Sequence, residues 1–223
     1  MTQHISPYHA PDFYRDALAR GRHRDIVGGR WDETGRIQMQ LLLEAGLRPE
    51  HHLLDIGAGS LRLGCKAVPY LDVGHYWATD LSGALMRQGH ASELEDPSRL
   101  SLDQLIEDAN FNFPNMPQTI THAIAFAVFT HLPYNHLRRA LMQVHARFPV
   151  LECLLLTVFL APDAEAALGP VKQPDGVVTH DIRAPYHMVE EDITHLIKAT
   201  GFSGTSQIKR LPRWQVLFHL TRS

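Results

Sequence analysis

Residues 53–64 read Leu-Leu-Asp-Ile-Gly-Ala-Gly-Ser-Leu-Arg-Leu-Gly and decide the fold of this chain. The apolar residues up to Ile56 predict the end of a buried strand, and the small residues 57–59 predict a turn too tight for larger side chains. A helix is predicted over 61–71. This order of strand, turn and helix lets the backbone approach a polar ligand closely. Because Asp55 would repel a pyrophosphate, it favours a ligand with a cationic group, such as an amino-acid ammonium.

Strands and helices alternate through the rest of the chain. Strands are predicted over 51–56, 75–79, 102–107, 120–129 and 151–160, and helices over 32–46, from 82 onward, over 135–147 and over 190–200. Two final strands, over 203–209 and 215–221, have no helix between them and predict an antiparallel hairpin at one edge. The pattern is typical of an α/β protein with a doubly wound, mainly parallel sheet.

Three regions are expected along the chain. Residues 1–47 are predicted to form an N-terminal helical cap segment, and residues 48–223 the α/β domain that binds the ligand. Residues 162–186 are rich in proline and predict a loop or lid beside the site.

The composition limits the partners that we expect. The 223 residues carry a net charge of −3, without a basic run, which argues against nucleic acid or an anionic membrane surface. The longest apolar stretch, 153–161, is shorter than the roughly 20 residues that cross a bilayer. No signal-peptide pattern is present, and Cys65 and Cys153 are predicted to be reduced, so a cytoplasmic protein is expected. No ligand spacing predicts a metal.

Acidic residues end two further predicted strands. Asp80 follows the glycine turn by about 20 residues, the spacing at which a carboxylate holds a ribose diol. In the run 107–109, Asp108 is expected to accept a hydrogen bond from an adenine amine. Other roles stay open, because Asp80 could cap the next helix and Asp103, Glu107 or Asp108 could be solvated loop charges.

These motifs resemble those of the class I S-adenosylmethionine-dependent methyltransferases. The similar segments are 53–59, 78–82, 107–109 and 127–133, and the resemblance covers roughly 48–160. It implies a seven-stranded, mainly parallel sheet whose last strand is antiparallel. It also implies S-adenosylmethionine as the cofactor and S-adenosylhomocysteine as the product.

The resemblance also implies roles for individual residues. Gly57 and Gly59 would let the backbone contact the methionine moiety, Asp55 would support its ammonium, Asp80 would hold the ribose and Asp108 would face the adenine. The full set of expected cofactor-binding residues is Asp55, Gly57, Ala58, Gly59, Asp80, Leu81, Asp108, Ala109 and Ala127. The family often has a third glycine where this chain has Leu61, so a less open turn is expected.

His131 is the candidate catalytic residue. It follows the fourth predicted strand, where the family places substrate-facing residues, and an imidazole can take a proton from an attacking hydroxyl or amine. The alternative is a structural histidine bonded to a backbone carbonyl. Further candidates to reach the pocket or cover the cofactor are Arg30, Trp31, Tyr134, His136, His180, Tyr186 and His187.

The expected acceptor is the hydroxyl or amine of a small molecule, such as a sugar or a natural product. Residues 130–134 read Thr-His-Leu-Pro-Tyr. They lack the Asn/Asp-Pro-Pro-aromatic run of enzymes that methylate base amines, so a nucleic-acid acceptor is not expected.

Two other functions stay open. A nicotinamide-dependent oxidoreductase would need a glycine where Arg62 stands, and Asp55 would lie beside its pyrophosphate. A non-catalytic relative would bind the cofactor, or nothing, and act through a partner surface. The altered turn at Leu61 is compatible with this second alternative.

Overall fold

One main sheet organises the molecule. The computed structural model describes residues 5–10, 13–26, 28–207 and 211–223. The strands are β1 (His52–Ile56), β2 (Tyr76–Asp80), β3 (Leu105–Glu107), β4 (Ile120–Ala125), β5 (Cys153–Leu160), β6 (Val171–Lys172), β7 (Val178–Thr179), β8 (His187–Met188), β9 (Phe202–Gln207) and β10 (Val216–Arg222). The main sheet has the order β3-β2-β1-β4-β5-β10-β9, and β8 pairs with β5 beside this path.

The strand directions confirm the predicted fold class. β1 pairs in parallel with β2 and with β4, β2 with β3, and β4 with β5. β10, the last strand, is antiparallel to both of its neighbours, β5 and β9. The result is a mixed α/β protein with seven strands along the main path, mainly parallel, and an antiparallel last strand.

Helices cover both faces of this sheet. They are α1 (Phe13–Ala19), α2 (His23–Ile26), α3 (Trp31–Glu44), α4 (Gly64–Tyr70), α5 (Gly83–Glu93), α6 (Tyr134–Arg147) and α7 (Glu190–Ala199). One core contains Leu141 of α6 and Ile193 of α7. The other contains Leu42 of α3 and Met86 of α5. Burial of apolar side chains on both faces explains why the central β5 is apolar almost throughout. In the described part of the chain, no helix has the length and apolar character needed to cross a membrane.

Local backbone geometry moves several element boundaries from their predicted positions. The helix predicted from residue 61 begins at Gly64, because Leu61 adopts a left-handed φ of 62° within a turn. The fourth strand ends at Ala125 and not at 129, because Ala127 is also left-handed, with φ 60°. The third strand begins only at Leu105, because a short 3₁₀ turn capped by Ser101 precedes it.

The N-terminal segment is fastened to α5 by one carboxylate. Glu93 accepts hydrogen bonds from His23 Nε2 at 2.6 Å and from Arg24 Nε and Nη2 at 2.7 Å each. The Arg24 guanidinium also lies 5.1 Å from the ring centre of Trp31. The Glu93 side chain is only 5% exposed, so it is a charge-assisted anchor with little solvent around it.

The segment predicted as a loop or lid contains the β6–β7 pair and meets the N-terminal segment. The Tyr186 hydroxyl donates a hydrogen bond to the Ile5 carbonyl at 2.9 Å. The Tyr186 N–H in turn donates to the Thr130 carbonyl, just beyond β4, at 2.7 Å. Both segments therefore lie beside the carboxyl ends of the parallel strands.

Candidate functional site

A cavity of about 390 Å³ lies at the carboxyl ends of the strands. Its wall includes the last residues of two strands, Ile56 of β1 and Asp80 of β2, with Phe159 near the end of β5 and Phe126 following β4. This is the edge where open α/β sheets bind their ligands. Residues of the N-terminal segment and of segment 162–186 complete the wall. We call the part at the strand ends the sheet-edge end, and the part lined by Tyr8, His131 and Pro185 the covered end.

The turn after β1 forms part of the sheet-edge end, and its backbone conformation requires glycine. Gly57 and Gly59 have φ values of 75° and 58°. A Cβ on Gly57 would lie 2.5 Å from Cγ2 of Val128, a distance that packed carbon atoms do not tolerate. The Gly57 N–H and the Ala58 N–H both donate to the Thr79 carbonyl, at 2.7 and 3.0 Å. The turn is thus fixed against β2 and presents bare backbone to the cavity.

Asp80 connects this turn to β2. Its Oδ2 accepts a hydrogen bond from the Gly59 N–H and its Oδ1 one from the Ser82 N–H, each at 2.9 Å. Burial raises the pKa of Asp80, while these N–H donors act in the opposite direction. Each carboxylate oxygen has two lone pairs, so the group keeps acceptor capacity for a ligand hydroxyl. The helix cap is Ser82 and not Asp80, because the Ser82 hydroxyl accepts a hydrogen bond from the Leu85 N–H at 3.2 Å, while Asp80 holds the Ser82 N–H.

Of the three acidic candidates around the third strand, Asp103, Glu107 and Asp108, only Asp108 lines the cavity among the described residues. Its oxygens accept from the N–H groups of Asn110 at 2.9 Å and Phe113 at 2.7 Å, which hold a tight turn. Glu107 instead accepts from the Gly83 N–H at 2.8 Å, and Asp103 lies outside the cavity wall.

Most of the other expected cofactor residues also line the cavity. Leu81, Ala109 and Ala127 do so, and Ala127 is held in its left-handed conformation by a 2.8 Å hydrogen bond from its N–H to Thr157 Oγ1. Gly57, Gly59, Asp80 and Asp108 complete the group that the structure brings together. Sequence spacing found these residues because they all follow directly on parallel strands.

Asp55 and Ala58 are not part of the cavity wall. Asp55 is 2% exposed and accepts a 2.7 Å hydrogen bond from the Tyr76 hydroxyl, beneath the turn. Burial raises its pKa to about 7, and the Tyr76 hydrogen bond and the Arg62 charge act against this. Asp55 and the buried Ala58 therefore lie beneath the cavity wall, so any support that Asp55 gives to an ammonium is indirect.

Arg62 is a site residue that sequence reasoning missed. It lines the cavity although it is only 9% exposed, and its Nε and Nη1 lie 3.4 Å from Gln38 Oε1 and the Gly29 carbonyl. Burial lowers the pKa of Arg62, and the charge of Asp55 opposes that shift. The signal available in the sequence was the position of Arg62, three residues after Gly59. The structure adds that this arginine is buried, which is rare for arginine without a partner.

His131 lies at the covered end of the cavity, against Tyr8 from the N-terminal segment. Their ring centres are 4.8 Å apart in an edge-to-face arrangement. Burial, and then the charge of Arg213, lower the pKa of His131 to about 4. The imidazole is therefore neutral at physiological pH and has a free lone pair. Tyr14 also lines this end, and nothing in the sequence distinguished these tyrosines.

The remaining candidates lie outside the cavity, with one exception. Arg30 lines it, whereas Trp31, Tyr134, His136, His180, Tyr186 and His187 do not. His187 is buried and bonds Thr179 Oγ1 at 2.9 Å and the Ala167 carbonyl at 3.0 Å, which makes it structural. The Tyr134 hydroxyl donates to the Asp192 carbonyl at 3.2 Å. Within residues 5–10, 13–26, 28–207 and 211–223, no three His, Cys, Asp or Glu side chains are grouped as metal ligands.

Several solved structures share this fold. Magnesium protoporphyrin IX methyltransferase from Synechocystis PCC 6803, with bound SAM, has a TM-score of 0.61 at 14% identity, over 97% of this chain and 94% of that one. The 1,6-didemethyltoxoflavin-N1-methyltransferase of Burkholderia thailandensis, with its substrate and S-adenosylhomocysteine, has a TM-score of 0.61 at 19% identity, over 96% and 91%.

An S-adenosylmethionine-dependent methyltransferase from Clostridium acetobutylicum ATCC 824 has a TM-score of 0.62 at 13% identity, over 94% of this chain and 99% of that one. At these identities the likeness shows the fold, which is that of the class I S-adenosylmethionine-dependent methyltransferases. No protein-family model matches the chain, and no curated protein matches it by sequence.

Proposed function

We propose that this chain is an S-adenosylmethionine-dependent methyltransferase that acts on a hydroxyl or amine of a small molecule. One observation carries the proposal: the glycine turn 57–59, Asp80 and the Asp108–Ala109 turn meet in a single cavity at the strand ends. The fold is shared with methyltransferases solved with SAM or S-adenosylhomocysteine.

The residues present fit this cofactor. The left-handed turn at Gly57 and Gly59 lines the cavity with backbone free of side chains, which suits close approach of a methionine moiety. The remaining lone pairs of Asp80 suit the two ribose hydroxyls. Leu81 and Ala109 line the same end and suit the flat adenine.

Arg62 suits the carboxylate of the methionine moiety. Its guanidinium lies in the cavity wall next to the glycine turn, and guanidinium groups bind carboxylates with charge-assisted hydrogen bonds. In this proposal Asp55 lies beneath the glycine turn, where its ionised form attracts the Arg62 guanidinium and helps to hold it in place. Asp55 is therefore a positioning residue.

When bound, the cofactor supplies a methyl group that its sulfonium already activates, so the protein has to orient the acceptor and exclude water. His131, neutral and in the wall of the covered end, is assigned to accept the proton of the acceptor hydroxyl or amine. Tyr8 packs against its ring and fixes its orientation. Residues of the N-terminal segment and of segment 162–186, such as Tyr8 and Pro185, line this end.

The oxidoreductase alternative has less support. Close packing of the first helix against the strand needs a glycine where this chain has the buried Arg62.

We also propose a cytoplasmic location. Cys65 and Cys153 are both free thiols, which agrees with it.

Calorimetric titration tests the proposed function. We expect S-adenosylhomocysteine and S-adenosylmethionine to bind with one site per chain, and NADH not to bind. Transfer of a labelled methyl group to hydroxyl- and amine-bearing acceptors then tests catalysis. Tight NADH binding without a response to either sulfur ligand would overturn the proposal, and cofactor binding without transfer to any acceptor would favour the non-catalytic alternative.

A further inference from the structure

We infer that the methyl acceptor is an aromatic carboxylic acid whose ring bears the hydroxyl or amine, and that Arg213 binds its carboxylate. This inference rests on the proposed function and adds the chemical class of the acceptor. It depends on one juxtaposition: Arg213 lines the covered end of the cavity together with Tyr8 and His131. Among the described residues, Arg213 has no carboxylate partner.

Charge is divided unevenly along the cavity. The two carboxylates in its wall, Asp80 and Asp108, both belong to the sheet-edge end, where the cofactor is proposed to bind. No other acidic residue lines the cavity in the part of the chain that the structure describes. Arginines line it beyond those two positions. The Asp80 charge still acts on Tyr8 and Tyr14, so the group in the covered end that favours an anionic acceptor is Arg213.

The other cavity arginines already face opposite charge. Arg30 Nη1 lies 3.9 Å from Glu33 Oε1, and Arg62 is coupled to the buried Asp55. Arg213 differs from both, because it forms no ion pair with any residue that the structure describes. Burial, and then the Arg213 charge, lower the pKa of His131. Burial and then Asp80 raise the pKa of Tyr8, while Arg62 and Arg213 act against this. Arg213 therefore lies near both of these rings.

The backbone holds Arg213 in an unusual conformation. Arg213 has φ 60° and ψ 20°, and Trp214 has φ 58°, so two consecutive side-chain-bearing residues are left-handed. This conformation costs free energy, and such costs are concentrated at functional sites. Gln215, the next residue, is buried and accepts a 2.5 Å hydrogen bond from Thr157 Oγ1 of β5. The strained turn is thus anchored to the sheet and directs residue 213 to the cavity.

The remaining wall of the covered end suits a flat apolar ring. It includes aromatic, aliphatic and proline side chains, namely Tyr8, Tyr14, Leu132, Phe159, Val177, Pro185 and Pro212, beside the polar Ser6, His9, Thr130 and Gln215. Such apolar and aromatic side chains suit the burial of an aromatic body. Arg213 and His131 line the same end of the cavity. One compact acceptor can therefore place its carboxylate at Arg213 and its hydroxyl or amine at His131.

Equilibrium binding to the protein–S-adenosylhomocysteine complex tests this inference. The probes are the three hydroxybenzoates, the three aminobenzoates and indole-2-carboxylate, each paired with its neutral carboxamide. The variants are Arg213→Asn, which removes the charge with a residue that accepts a left-handed backbone, and Arg213→Lys, which keeps the charge. Arg138→Gln is the matched control, because Arg138 is exposed on α6 and does not line the cavity.

We expect at least one carboxylate to bind at least 10-fold more tightly than its carboxamide, and Arg213→Asn to abolish that difference. Arg213→Lys should restore part of it, and Arg138→Gln should leave it unchanged. Carboxamides that bind as tightly as the acids, no binding of any acid at millimolar concentration, or a preference that survives Arg213→Asn would each overturn the inference. Binding of S-adenosylhomocysteine alone, measured first with each variant, separates these outcomes from failure of the proposed function.

Discussion

Oδ2 of Asp80 accepts a hydrogen bond from the Gly59 N–H at 2.9 Å, so the glycine turn after β1 holds the carboxylate that ends β2. In the proposed site the same carboxylate holds the ribose. The two halves of the cofactor-binding edge are therefore coupled through one side chain.

Asp80→Ala should weaken S-adenosylhomocysteine binding by about 1–3 kcal/mol, because it removes the acceptor of the ribose hydroxyls and releases the turn. Calorimetry with the variant measures the change. Asp103→Asn is the control, since Asp103 is exposed and outside the cavity. Unchanged affinity in Asp80→Ala would refute the assigned role.

His131→Ala should lower turnover by about 100-fold, a typical contribution of a general base, while S-adenosylhomocysteine affinity changes little. Burial lowers the pKa of His131 to about 4, so the wild-type imidazole is unprotonated from pH 6 to 8 and its own ionisation should not limit turnover there. Turnover and affinity are measured in parallel across this pH range. His195→Ala, an exposed position on α7, serves as the control, and equal turnover in the two variants would leave His131 a structural residue.

The buried carboxyl of Asp55 should make stability depend on pH. Its folded-state pKa of about 7 lies above the ordinary value of 3.8, so the stability that the protonated form contributes is complete below about pH 4 and is lost as the pH rises through 7. Asp55→Asn keeps an acceptor for the Tyr76 hydroxyl and cannot ionise. The free energy of unfolding of the wild type, relative to Asp55→Asn, should fall by roughly 2–4 kcal/mol between pH 4 and pH 8. Urea unfolding of both proteins at several pH values measures it, and parallel curves would contradict the assignment.

Gly89 sets the distance between α5 and the glycine turn. A Cβ at this position would lie 2.1 Å from the Ser60 carbonyl oxygen, a backbone atom that cannot move aside on its own. Gly89→Ala should therefore destabilise the protein by about 1–3 kcal/mol, despite the better helix propensity of alanine. Gly169→Ala is the matched control, because a Cβ there would meet nothing within 4 Å. Thermal unfolding measures the effect: the midpoint of Gly89→Ala should fall below that of the wild type, and that of Gly169→Ala should not. Equal midpoints in the two variants would contradict the prediction.

Glu93→Gln should loosen the N-terminal segment without unfolding the sheet. The change removes the charge that holds His23 and Arg24, which we expect to cost about 1–2 kcal/mol in the closure of this segment. Faster limited proteolysis within residues 13–26 and faster dissociation of S-adenosylhomocysteine are the expected results. Glu191→Gln, exposed on α7, should change neither.

The sheet and its ligand-facing edge could be predicted because they depend on local patterns. Residues 57–59, Asp80 and Asp108 each follow a strand directly, and strand order then brings them together. The supporting role expected for Asp55 stays a prediction, because its side chain lies in the core, hydrogen-bonded to Tyr76 and outside the cavity wall.

The covered end of the cavity could not be predicted in the same way. Tyr8 and Arg213 come from segments far apart in the chain, and no spacing rule relates such segments to one another. The left-handed conformation at Arg213 and Trp214 is equally invisible in the sequence, since neither residue type favours it.

The hydrogen bond from Tyr186 to Ile5 joins positions 181 residues apart, which has a consequence for biosynthesis. A ribosome makes the N-terminal partner first and the tyrosine only after most of the polypeptide has emerged. Until then the N-terminal segment cannot be held over the carboxyl ends of the strands by this hydrogen bond. Closing so long a loop also carries an entropic cost that local contacts do not offset. Competence to retain a ligand should therefore arise late, after the sheet itself has assembled.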